Sequence, residues 1–219
     1  MGTITRSFAN NITTSGVLLP ASLTNNSIAN VTAYNASVAT GGMKLISSQT
    51  ANNSASISFT TGIDSTYKEY QFYFINIRPA TNNVDFQFNG STDSGSNYNV
   101  TKTTTQFNAY HDEAGTEAAL GYNTGYDLAQ SSAYQNITND ISNSADMNTC
   151  ATMSLFNPAS TTYVKHFIAT TNNNYNASNF FQNDYLAGYF NTTSAINAIN
   201  FKMSSGNIAD GTILMYGIV

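Results

Sequence analysis

The sequence predicts an all-β protein: an antiparallel, jelly-roll-like β-sandwich preceded by an extended N-terminal arm. Three features lead there. Apolar and polar residues alternate over short runs, the two-residue period of a half-buried strand. Pro, Gly, Asn and Asp punctuate those runs. Charged residues make up only 9% of the 219 while aromatics make up 12%, a composition that builds a core rather than a disordered chain.

Residues 1–42, "MGTITRSFANNITTSGVLLPASLTNNSIANVTAYNASVATGG", hold isolated aliphatic residues with no sustained period of two or 3.6. The segment ends in Gly41-Gly42, a hinge signal. It is expected to be an arm that orders against its own domain or a neighbouring subunit. Its start lacks the apolar h-region of a signal peptide. Arg6 stands where a myristoylation pattern wants Ser or Thr. "GVLLP" is too short to cross a membrane.

Residues 43–219 are expected to form the sandwich. In "SASISFTTG", Ala55, Ile57 and Phe59 point one way. "EYQFYFINIRPAT" places Tyr70, Phe72 and Phe74 on one face and Tyr73, Ile75 and Ile77 on the other, until Pro79 stops the strand. A strand apolar on both faces is central or lies at a subunit interface. Val84, Phe86 and Phe88 alternate with Asp85, Gln87 and Asn89. Met153 and Leu155 precede another Pro stop. Val164, His166 and Ile168 oppose Tyr163, Lys165 and Phe167. Ile199, Phe201 and Met203 oppose Asn200 and Lys202. After the turn "SSGNIADG", with Gly206 and Gly211 free to take positive φ, "TILMYGIV" pairs back or crosses to the facing sheet and closes the sandwich. Residues 108–148 read as a long insertion; its Gly and Asn residues argue for a loop, and a loop of that length is functional or interface-forming.

The chemistry in the sequence is sparse. Seven Lys and Arg against twelve acids give a net charge of −5, so no basic stripe exists to engage a phosphate backbone and no nucleic-acid partner is expected. One cysteine, Cys150, excludes an intrachain disulfide and is expected to be a small buried hydrophobe. His111-Asp112-Glu113 is the densest titratable cluster, but adjacent residues on an extended chain point apart, so it is expected to be an exposed polar loop. Asp64, Asp93, Asp140, Asp146, Asp184 and Asp210 read as turn residues rather than as the paired acids of a glycosidase. No nucleophile elbow, zinc-protease or P-loop pattern is present. Asn-x-Ser/Thr triplets such as "NIT" at 11–13 arise from the composition. No catalytic residue, cofactor site or metal site is expected. The 14 Tyr and many Asn serve core and turns, though Tyr can also stack on sugar rings while Asn bonds their hydroxyls.

Three stretches carry a resemblance: residues 54–105, beginning "SASISFTTGIDSTYKEYQFYFINIRPAT"; "SLFNPASTTYVKHFIATT"; and "FNTTSAINAINFKMSSGNIADGTILMYGIV". Over roughly residues 43–219 the chain resembles small virion-associated proteins of marine tailed bacteriophages, of the cyanophage and pelagiphage kind. The resemblance implies a structural protein of the phage particle and carries over no catalytic residue. The setting it implies is a virion assembled in a host cytoplasm, which suits a chain without disulfides.

The expected function is therefore a non-enzymatic capsid decoration or cement protein. It would be a homotrimer whose arm grips the major capsid protein or tail proteins. Apolar contacts between subunits would resist internal pressure at roughly 25 cal/mol per Å², before association costs. The alternative is a tail-fibre or receptor-binding head whose 108–148 region binds a host glycan. A glycan-cleaving enzyme is a distant third.

Overall fold

The computed structural model describes residues 42–175 and 180–219; the predicted arm, Gly42 apart, lies outside the described residues. Twelve strands make up the fold, and the described residues contain no helix. In chain order they begin β1 (Met43–Thr50), β2 (Ile57–Phe59), β3 (Glu69–Pro79), β4 (Val84–Ser91), β5 (Lys102–Asp112) and β6 (Ala118–Tyr122). They continue β7 (Gln135–Ile141), β8 (Thr149–Phe156), β9 (Lys165–Tyr175), β10 (Phe180–Phe190), β11 (Ala198–Met203) and β12 (Ile208–Ile218).

Every pairing is antiparallel. One layer runs β1-β12-β3-β8-β9-β10-β5-β6 and the other runs β7-β4-β11-β2. A single pair, Ile141 with Tyr175, bridges β7 to β9 and joins the layers. The chain crosses repeatedly from one layer to the other, as in jelly rolls. The predicted all-β sandwich is what forms.

The larger share of the core is aromatic. Phe72 and Phe74 on β3 meet Phe59, Phe86 and Phe201 of the facing layer, with ring centroids 5.0–5.6 Å apart for the closest pairs. Phe167 on β9 and Phe190 on β10 close on Phe88. All are fully buried, and their edge-to-face arrangement adds to the gain from area alone.

One predicted face is corrected. Ile77 was expected beside Tyr73 and Ile75, yet it is buried while Ile75 is 41% exposed. The cause is a bulge: Asn76 takes φ 53°, the β3–β8 register shifts between Phe74 and Ile77, and the β3–β12 register shifts opposite it. A one-residue slip flips every later side chain to the other face. Gly211 supplies the other half of the bulge. It sits at φ 119°, and a Cβ there would lie 2.7 Å from the Asn76 carbonyl oxygen.

The terminal stretch crosses between layers: β11 pairs with β4 and β2, whereas β12 inserts between β1 and β3. Gly206, at φ 69°, turns the chain between them. Region 108–148 is not a structureless loop. It contains the end of β5, the strand β6 and the buried strand β7.

Candidate functional site

The interior of the sandwich changes character across the large layer. Along β5, β9 and β10 the inward positions include a polar set, Lys102, Thr104, Gln106, Thr171, Asn173, Gln182 and Asp184, all buried. β7 faces them with Gln135, Thr138 and Asn139. Buried polar groups need partners, and these largely supply one another. Asp184 accepts hydrogen bonds from Thr138 Oγ1 at 2.6 Å, Gln182 Nε2 at 2.9 Å and Thr171 Oγ1 at 3.0 Å. Asn173 donates to Thr138 Oγ1 at 2.6 Å and Gln182 donates to Asn139 Oδ1 at 2.9 Å. Burial pushes the Asp184 carboxyl above the usual carboxylate range, against the pull of these donors.

This network continues into an open pocket of about 430 Å³ lined by Asn108, Tyr110, Glu117, Asn123, Tyr126, Asn139, Asp140, Tyr175, Phe180 and Gln182. Most of the lining comes from the 108–148 region. Asp140 takes φ 52°, a conformation that Asp and Asn tolerate. Its Oδ2 accepts from Asn139 Nδ2 at 2.7 Å and Tyr126 OH at 3.5 Å, and burial together with the Asp140 charge pushes the Tyr175 hydroxyl up. Tyr110 OH donates to Glu117 at 3.4 Å. Phe180 stands nearly perpendicular to both Tyr110 and Tyr175, at 88° and 89°. Asp85 lies behind Asp140, accepting its backbone N–H at 3.2 Å. Burial, then the charges of Asp140 and Asp184, push the Asp85 carboxyl up, although hydrogen bonds from Asp140 and Asn136 pull it down. Burial and the same carboxylates, Asp140 and Asp85, raise the Tyr126 hydroxyl to about 12.

Three readings of acids as turn residues are corrected. Asp184 sits in mid-strand on β10, fully buried, and Asp140 belongs to β7 and lines the pocket. Others fit the turn reading. Asp64 caps the backbone of Thr66. Asp93 caps Asn97 and is held down at about 2, chiefly by the Ser91 hydroxyl and the Asn97 amide. The third correction is Asp210, which lies within β12 and forms an ion pair with Arg78 across the β3–β12 pairing. The reading of His111-Asp112-Glu113 as an exposed polar loop is corrected too: His111 and Asp112 end β5, His111 is exposed, and the buried Asp112 bonds Thr116 and the backbone of Glu117 to close the β5–β6 turn. His166 lies elsewhere, against Tyr189. Among the described residues no three His, Cys, Asp or Glu side chains gather as a metal site.

A second surface stands out. The outward face of the large layer carries Leu45, Tyr73, Ile75, Phe107, Ile168, Tyr185 and Tyr216, with Thr, Ser and Asn between. Within it Phe107 stacks on Tyr185 at 4.9 Å, and Ile168 is 52% exposed. The face's charges are few: Glu69 is bonded by Ser154, and an Arg78–Asp210 pair sits at the bulged end of β3 and β12. Cys150, predicted to be buried, is exposed on this face. Thr149, Ala151, Met153 and Leu155 take the inward phase of β8, which leaves Cys150 outward.

The chain matches no family model, and no curated protein or solved structure shows significant similarity to it.

Proposed function

We propose that this chain is a non-enzymatic structural protein of a bacteriophage particle, serving as a capsid decoration or cement subunit. The observation that carries this reading is the outward face of the large layer. Soluble single subunits rarely leave so wide an apolar face with so few charges. Large side chains bury roughly 150–250 Å² each. The half-exposed Leu45, Ile75, Phe107, Ile168, Phe181 and Tyr185 therefore leave on the order of 500 Å² of apolar surface for contacts. That is a large share of the roughly 800 Å² per partner in a standard interface. Association through this face fits the homotrimer and the capsid contacts expected from the sequence. Quantitative mass spectrometry of particles tests the reading: a copy number comparable to the major capsid protein is expected, and a copy number far below it would overturn the decoration role.

A second reading, a tail-fibre or receptor-binding head, is favoured by the pocket, which the 108–148 region largely builds. Saturable binding of purified protein to host cells, with loss of phage adsorption, is its expected result. Persistent turnover of a host polysaccharide by the purified protein would overturn both readings.

A further inference from the structure

The pocket between β5, β7, β9 and β10 has a chemistry more specific than its size. We propose that it binds a saccharide carrying a protonated amino group. The inference rests on the second reading only in taking the pocket as a ligand site.

Three observations support that class. First, the walls are aromatic but not flat. Phe180 meets Tyr110 and Tyr175 at right angles, and Tyr126 adds a fourth ring. Stacking a neutral sugar uses one open flat platform, which these mutually perpendicular rings do not form, whereas an electron-rich aromatic wall attracts a cation. Second, the charge is of one sign. Glu117 and Asp140 line the pocket, no Lys or Arg does, and Asp85 stands directly behind Asp140. An ammonium group satisfies that field, and an acidic sugar is repelled by it. Third, Asn108, Asn123 and Gln182 supply the paired donors and acceptors that sugar hydroxyls need. The cavity of about 430 Å³ falls within the range of small-ligand sites.

Calorimetric titration of the full chain with a glucosamine oligosaccharide, its fully N-acetylated counterpart and a galacturonate oligosaccharide tests the proposal. The amine oligomer is expected to bind, the acetylated oligomer about tenfold more weakly or worse, and the acidic oligomer not at all. Glu117→Gln and Asp140→Asn should each weaken the amine oligomer about tenfold with unchanged melting. Asn suits the left-handed backbone of residue 140, and Glu117 is exposed, so neither variant should fail to fold. Equal binding of amine and acetylated oligomers, unchanged affinity in both variants, or no binding of the amine oligomer each overturns the proposal. The receptor-binding reading is separable. Blocked adsorption without amine selectivity leaves that reading standing and removes this one; amine-selective binding without blocked adsorption does the reverse.

Discussion

The two halves of the sandwich interior follow the same backbone rules with opposite chemistry. Between β3 and the small layer, Phe72 and Phe74 pack on Phe59, Phe86 and Phe201. Between β10 and β7, Asp184 gathers Thr138, Thr171 and Gln182. The aromatic half is held by area, which is large and non-directional. The polar half is held by directed bonds, which contribute less net energy but specify geometry. The pocket adjoins the polar half, where position matters more than total burial.

The largest effect expected is in the aromatic half. Phe201→Ala removes the ring that touches Phe59, Phe72, Phe74, Phe86 and Phe88 and should cost about 3–5 kcal/mol in urea unfolding. A loss under about 1 kcal/mol would mean that this half repacks freely. Asp184→Ala strands several buried donors and should cost about 3 kcal/mol. Asp184→Asn keeps an acceptor and should cost clearly less. Equal losses would show that the negative charge, rather than the bonding pattern, organises the polar half.

Lys102 sharpens the comparison through pH. It is fully buried, donating to Asn89 Oδ1 at 2.8 Å and the Val100 carbonyl at 2.9 Å, and burial lowers its ammonium to about 7. Above that value the folded protein releases a proton that the unfolded chain keeps up to the usual lysine range. Stability should therefore rise with pH, by roughly 2 kcal/mol between pH 7 and 9. The Tm should rise in step, and Lys102→Met should flatten the rise. The smallest effect belongs to the outward face: Ile168→Asp should move stability by less than about 0.5 kcal/mol yet abolish self-association in analytical ultracentrifugation. Unchanged association would detach that face from assembly.

The same contrast governed what could be read from the sequence. The strands that line the aromatic half were legible, because Val84, Phe86 and Phe88, or Ile199, Phe201 and Met203, alternate visibly with polar neighbours. β5, β7 and β10 were not. Their inward residues, such as Gln106, Thr138 and Asp184, are polar, so inside and outside look alike in hydropathy. For this reason Asp184 and Asp140 read as turn acids and β7 was absorbed into an insertion. The bulge at Asn76 was hidden as well, since one left-handed residue reverses the phase that alternation assumes. The 108–148 region was singled out by its length. The convergence of Tyr110, Tyr126, Tyr175 and Asp140 needed the register of four strands.

The placement of β12 sets a schedule for the molecule's making. Among the described residues β1 has one strand partner, β12, and the hydroxyl pair Thr50–Thr212 across that seam is 162 residues apart in sequence. On a ribosome adding roughly 5–20 residues per second, β1 waits on the order of ten to thirty seconds before β12 exists to pair with it. Throughout that interval Met43 and Leu45 lack the strand against which they lie in the finished layer. In the finished layer β1 is an end strand, and the bulge between Leu45 and Ser47 interrupts its ladder, a local irregularity of the kind that disfavours pairing with a neighbouring chain.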